Sequence, residues 1–211
     1  MLKAKVCMVG DSAVGKTSLV RRYVLDQFSD DYMSTMGTKV TKKMMKLTVP
    51  EIGAIDLKMT LWDIMGEKEL IGVVKESYFN GVSGIMAVCD LSREETIDSL
   101  REWIGVVVRT AGKVPVMVAA NKLDLIPPRS IGRLSDKLED LAKDETINEM
   151  LTSAKTGENV EVAFNKLAME ILEGAIRRKR LAEMSEMVSE RESRSLAGGG
   201  RDRRDSAPVN L

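Results

Sequence analysis

The chain has 211 residues, 44% of them apolar, which suits one α/β domain with a tail. Lys and Arg number 32 and Asp and Glu number 32, so no excess of positive charge favours nucleic acid or an acidic membrane surface. There is no histidine, and Cys7 and Cys89 each lie inside an apolar run, which argues against zinc sites, His-based triads and a disulfide scaffold and for reduced thiols in a cytoplasmic protein.

In chain order, an apolar run predicts a strand over Ala4–Val9, and three- and four-residue apolar spacing predicts a helix over Ser18–Leu25. Val40–Val49 and Ile55–Ile64 are consecutive strand-like runs joined by PEIGA, expected to pair antiparallel as a hairpin at one sheet edge; Leu57–Ile64 is its buried part. Strands at Gly84–Leu91 and Val114–Ala120 then alternate with helices at Glu94–Thr110, Arg129–Lys143 and Val160–Arg178, with Thr96 or Asn159 as a first-turn cap. No apolar run approaches the roughly 18 residues of a membrane span, and MLKAKVCMVG is not a signal peptide. This alternation predicts a mostly parallel sheet with helices on both faces and ligands at the carboxyl ends of the strands.

After the first strand the chain reads GDSAVGKTS, which fits G-x-x-x-x-G-K-[ST] at Gly10, Gly15, Lys16 and Thr17. Small residues from Ser12, Ala13 and Val14 through Ser18 let successive backbone N–H groups face one concavity at a helix N-terminus. Lys16 brings a cation to the β and γ phosphates, and Thr17 offers a hydroxyl to Mg²⁺. After the run VPVMVAA comes NKLD, residues Asn121, Lys122, Leu123 and Asp124. The Asp124 carboxylate accepts two hydrogen bonds from guanine N1–H and its exocyclic amine, a pair that adenine cannot offer, so an adenine nucleotide leaves it unpaired. Farther on, TSAKTGENV places Ser153, Ala154 and Lys155 in a small-residue turn that can meet the base edge, with the lysine over the ring.

With GDSAVGKTS, YMSTMGT, WDIMG, NKLD and TSAK in this order over residues 3 to about 178, the chain resembles a small GTPase of the Ras superfamily, most of all its Rab-type branch. The resemblance implies a three-layer P-loop NTPase fold with about six strands and one antiparallel edge hairpin, binding GTP or GDP with Mg²⁺. It implies that Phe28 covers the guanine edge-on and that Thr17, Thr35 and Asp63 hold the metal directly or through water. Thr35 and Gly66 would sense the γ-phosphate, making 28–40 and 63–79 two switches that meet effector, exchange and activating proteins. Thr38 is a nearby alternative to Thr35, which the Tyr-x-Ser-Thr-Met-Gly frame favours.

Two departures from the family stand out. Glu67 occupies the place of the glutamine that orients the attacking water, and an ionised carboxylate there faces the phosphates' negative charge, so slow hydrolysis is expected. Lys16, Gly66, Glu67 and Thr35 form the expected catalytic set, with Lys68 and Glu69 a local exposed pair. The chain also ends APVNL with no cysteine beyond Cys89, so the branch's prenyl anchor is not expected. The domain reading is a GTPase domain over 1–178, a helical extension over 179–195 with Leu181, Met184 and Val188 at helical spacing, and a disordered tail over 196–211. The expected protein is a cytoplasmic monomer, with tail-mediated self-association as an alternative. A second reading is a GTP-binding scaffold that scarcely hydrolyses and acts through this helix; a third, an ATPase, is opposed by NKLD. Trp62, Trp103 and the methionines, among them Met44 and Met59, read mainly as packing.

Overall fold

A computed structural model describes residues 1–29, 37–50, 52–66, 78–143 and 147–198, the last eleven of these by backbone alone. The elements are β1 Leu2–Val9, α1 Lys16–Leu25, β2 Thr38–Val49, β3 Gly53–Ile64, β4 Gly84–Asp90, α2 Glu95–Asp98, α3 Leu100–Ala111, β5 Val116–Asn121, α4 Pro128–Leu141, β6 Ile147–Leu151 and α5 Val160–Gly198. The six strands lie in the order β2-β3-β1-β4-β5-β6. All neighbours run parallel except β2 and β3, which pair antiparallel from Thr38↔Ile64 to Val49↔Gly53.

The central strands are buried on both faces, as their continuous apolar runs require. On one face Cys7, Val9, Ile85, Ala87, Cys89, Val116, Val118 and Ala120 pack with Leu100, Trp103, Val107, Leu134 and Leu138 of the helices. The alternate residues Val6, Met8, Met86, Val88, Met117 and Ala119 are equally buried and must point to the other side. There Gly84 lets α5 approach: a Cβ on it would lie 2.7 Å from Ile171 Cδ1. Tyr23 of α1 stacks on Phe164 of α5 with ring centroids 4.1 Å apart.

The expected hairpin and the α/β alternation are present. The sheet's sixth strand, β6, falls in a stretch, INEML, in which no strand was expected: Asn148 and Glu149 interrupt the apolar pattern of an edge strand that is only half-buried. The helix expected over Glu94–Thr110 is divided at Ser99, whose Oγ lies 2.9 Å from both Glu95 O and Asp11 Oδ2, the two acceptors that share its single proton. Neither expected cap acts as one. Thr96 Oγ1 donates to Arg93 O and accepts from Asp90 N, and Asn159 Nδ2 donates to Leu151 O, so both side chains tie a helix start to a strand end.

Residues Met1–Leu172 form one compact unit and Glu173–Leu211 a second. In the second, Leu181, Met184 and Met187 are exposed along α5, which runs to Gly198, into the stretch expected to be tail. Val188 lies where only the backbone is described, and 199–211 lie outside the described residues. No helix among the described residues is long and apolar enough to cross a membrane.

Phe164 is 1% exposed, and its loss leaves a void facing Tyr23. Phe164→Ala should lower unfolding stability by about 3–5 kcal/mol, read as a fall in urea midpoint at unchanged slope.

Candidate nucleotide-binding site

The loop between β1 and α1 turns through three positive-φ residues, Gly10 at 134°, Ala13 at 61° and Gly15 at 102°. Gly10 also lies against β4, where a Cβ would come within 2.1 Å of Val88 O, and a Cβ on Gly15 would sit 2.2 Å from Asn121 Nδ2. The loop is held from outside along its length. Buried Asp11 accepts hydrogen bonds from Trp103 Nε1 at 2.8 Å and Ser99 Oγ at 2.9 Å. Ser12 O accepts from the Arg93 guanidinium and Val14 O from Asn121 Nδ2, both at 2.9 Å. Gly15 precedes α1 with no side-chain cap, so the helix's first N–H groups stand at the end of this turn.

Lys16 Nζ arches back over the loop and donates to Gly10 O at 2.7 Å and Asp11 O at 2.8 Å. Burial brings its pKa down from 10.5 to about 8, opposed by the charges of Asp63 and Asp11 and assisted by that of Arg93. Thr17 Oγ1 donates to Asp63 Oδ2 at 2.5 Å. The other Asp63 oxygen, Oδ1, is buried without a hydrogen-bond partner, and burial raises this carboxyl's pKa against the lowering effect of the Thr17 bond and of Lys16. An orphaned buried carboxylate oxygen beside a hydroxyl is a costly arrangement for the protein alone. Mg²⁺ fits it, since it takes hard oxygen ligands, uses one or two carboxylates and draws its remaining ligands from water and phosphate. Gly66 borders the same place: a Cβ on it would lie 2.3 Å from Lys16 Nζ and 2.5 Å from Asp11 O.

The residues that follow β5 and β6 join this loop through Asn121. Its Nδ2 holds Val14 O while its Oδ1 accepts from Ala154 N at 3.0 Å, so one buried amide spans the phosphate loop and the Ser153–Lys155 turn. Ser153 Oγ donates to Asp124 Oδ1 at 2.6 Å and aims that exposed carboxylate. Lys122, itself left-handed at φ 67°, pairs with Asp90 Oδ2 at 2.8 Å. From α1, Arg22 donates to Ala154 O at 2.9 Å and Lys155 O at 2.7 Å, pinning the turn's carbonyls.

Comparison with known proteins agrees with this geometry. The sequence model of the Ras family matches residues 5–173. The chain is 33% identical over 169 residues to Ras-related protein Rab-8B of Homo sapiens, covering 80% of this chain and 78% of that one. It is 34% identical over 168 residues to Rab-8A of Bos taurus (79% and 77%) and 32% identical over 169 residues to Rab-13 of Mesocricetus auratus (80% and 79%). The chain belongs to the Ras family. It is a Rab-like small GTPase, a GTP-binding hydrolase on the mostly parallel, six-stranded P-loop fold.

In this Ras-family chain Ser12, Ala13, Val14, Gly15, Lys16, Thr17 and Ser18 form the turn and the start of α1, and Asp63 and Gly66 close on it. Asn121, Lys122, Asp124, Ser153 and Ala154 gather at the carboxyl ends of β5 and β6, with Lys155 exposed beside them. Phe28 is half-buried in the segment after α1. Thr35 and Glu67 lie outside the described residues, as do most of the two expected switches; Thr38, the alternative to Thr35, opens β2 opposite Ile64. Sequence reasoning missed the residues that hold the site from behind: Ser99, Arg22, Asp90 and Arg93. It took Trp103 for packing, which it is, but its indole N–H also anchors Asp11. A buried acid directly after a loop glycine, needing donors from elsewhere in the chain, was the available signal.

Lys16 has a folded pKa below its unfolded one, so its protonation opposes folding fully below about pH 8, and that opposition fades as pH rises toward 10.5. Nucleotide-free protein should therefore gain stability between about pH 8 and about pH 10, read by urea unfolding, and Lys16→Met should flatten the rise.

Proposed function

We propose that this chain is a Mg²⁺-dependent guanine-nucleotide switch that hydrolyses GTP slowly and presents its two switch segments to partner proteins in the GTP-bound form. The observation that carries the reading is the Asn121 bridge, which makes the phosphate loop and the base-reading turn parts of one site. Backbone N–H groups from Ala13 to Thr17 and the Lys16 ammonium meet the phosphates, and Asp124, aimed by Ser153, accepts from guanine N1–H and its amino group. Thr17 and Asp63 would hold Mg²⁺, joined by Thr35 on the family pattern, and when bound the ion neutralises charge on the phosphate oxygens.

The reaction is in-line attack of water on the γ-phosphate, with no covalent intermediate. Lys16 and the loop amides stabilise the charge, and Glu67 decides how well the water is oriented. An ionised Glu67 is repelled from the phosphates and cannot donate as a glutamine amide does, which supports an intrinsic rate no faster than on the order of 10⁻⁴ to 10⁻³ per second. Arg22 of α1 is committed to Ala154 O and Lys155 O and so is not a candidate for the missing positive charge, which an arginine from an activating protein would supply. A second reading, a scaffold acting through α5 with almost no turnover, draws support from exposed Leu181, Met184 and Met187. Partner binding that survives removal of residues 179–211 would count against it.

Two measurements test the switch. GDP should bind in Mg²⁺ and resist competition by ATP; ATP competing within about tenfold of GTP would refute the base assignment. In single-turnover assays of GTP-loaded protein, Glu67→Gln should turn over faster than wild type. Equal rates would mean that Glu67 is neutral at the site or turned away from it.

A further inference from the structure

Ala13 is the residue of the phosphate loop that the backbone suits least. At φ 61° it occupies the left-handed region, which an L residue with a Cβ adopts at a cost and glycine adopts freely. The value of φ at Ala13 is set by rotation of the Ser12–Ala13 peptide plane, and that plane carries the Ser12 carbonyl. Arg93 grips this carbonyl: its Nη2 donates to Ser12 O at 2.9 Å while its Nε donates to Asp90 Oδ2 at 2.9 Å. Asp90 is itself fixed, 1% exposed and bonded to Ser92 N, Ser92 Oγ and Lys122 Nζ. On the other side of Ala13, Val14 O is held by Asn121. The strained residue therefore sits between two carbonyls tied to the ends of β4 and β5.

We propose that Arg93 is a positioning residue for the nucleotide, a strut from Asp90 that holds the Ser12–Ala13 peptide in its left-handed setting and so keeps the Ala13 N–H directed into the phosphate concavity. Without the strut, Ala13 relaxes toward negative φ, the peptide turns, and the loop must be rebuilt each time a nucleotide binds. A glycine in place of Ala13 needs no such restraint. The strut and the alanine are thus a compensating pair, and because Lys122 shares the Asp90 carboxylate, the same anchor serves the phosphate side and the base side of the site. The proposal rests on the guanine-nucleotide reading of this site.

The test is a double-mutant cycle on the full chain with Arg93→Ala and Ala13→Gly. Its readout is the dissociation constant of a fluorescent GDP in Mg²⁺, taken from the ratio of dissociation and association rates. Arg93 is on the surface, its side chain 38% exposed, so its truncation leaves the core intact. Arg93→Ala should weaken binding by about five- to tenfold when introduced into the wild-type chain and by less than about twofold when introduced into the Ala13→Gly chain. A change below about twofold in the wild-type chain overturns the strut, and an equal loss in both chains overturns its link to Ala13. Wild-type protein that takes up no guanine nucleotide at all overturns the nucleotide reading itself, and this inference with it.

Discussion

A phosphate loop is backbone that must keep its N–H groups facing inward, with no regular element of its own to hold them there. The solution here is to bind the loop by everything that does not face inward. The Asp11 carboxylate is taken by Trp103 and Ser99, the Ser12 carbonyl by Arg93 and the Val14 carbonyl by Asn121. A loop whose outward groups are already paired loses little conformational freedom when an anion arrives, which is where preorganised sites gain affinity. Gly10 and Gly15 complete the restraint from the steric side, since neither position has space for a Cβ.

The inward face holds the opposite balance. Lys16 is buried deeply enough that its pKa falls to about 8, and Asp63 keeps one buried oxygen unsatisfied while burial raises its pKa. Each group alone is unfavourable in the folded protein, and each is relieved by a ligand of the opposite charge. A buried cation and a half-satisfied buried carboxylate side by side are the kind of perturbed titratable groups that gather at functional sites.

Much of this was legible in the sequence because it is local. Five strands and the main helices carry periodic apolar patterns, and the phosphate loop and the Asn121–Asp124 stretch are short motifs following strands. What was not legible acts across long separations or against local preference. Arg93 and Ser12 are 81 residues apart and Trp103 and Asp11 are 92 apart, and nothing in either local stretch names its partner. The boundary at Ser99 was hidden because it leaves little local trace: its backbone stays helical at φ −65° and ψ −22° while its hydroxyl reaches Asp11, 88 residues away. Strand β6 escaped because Asn148 serves a tertiary purpose, donating to Glu170 Oε1 at 2.7 Å, where an apolar residue would have marked the strand.

The hairpin carries one more consequence. Among the described residues β2 is a sheet edge twelve residues long, with exposed Val40 and Met44, and an edge strand of that length is a template for pairing with another extended chain. Its exposed Lys39, Lys42 and Lys46 are spaced along the whole strand. Two copies meeting edge to edge would bring the positive charge of both strands together. Like charge along this edge therefore opposes the association of two copies through it.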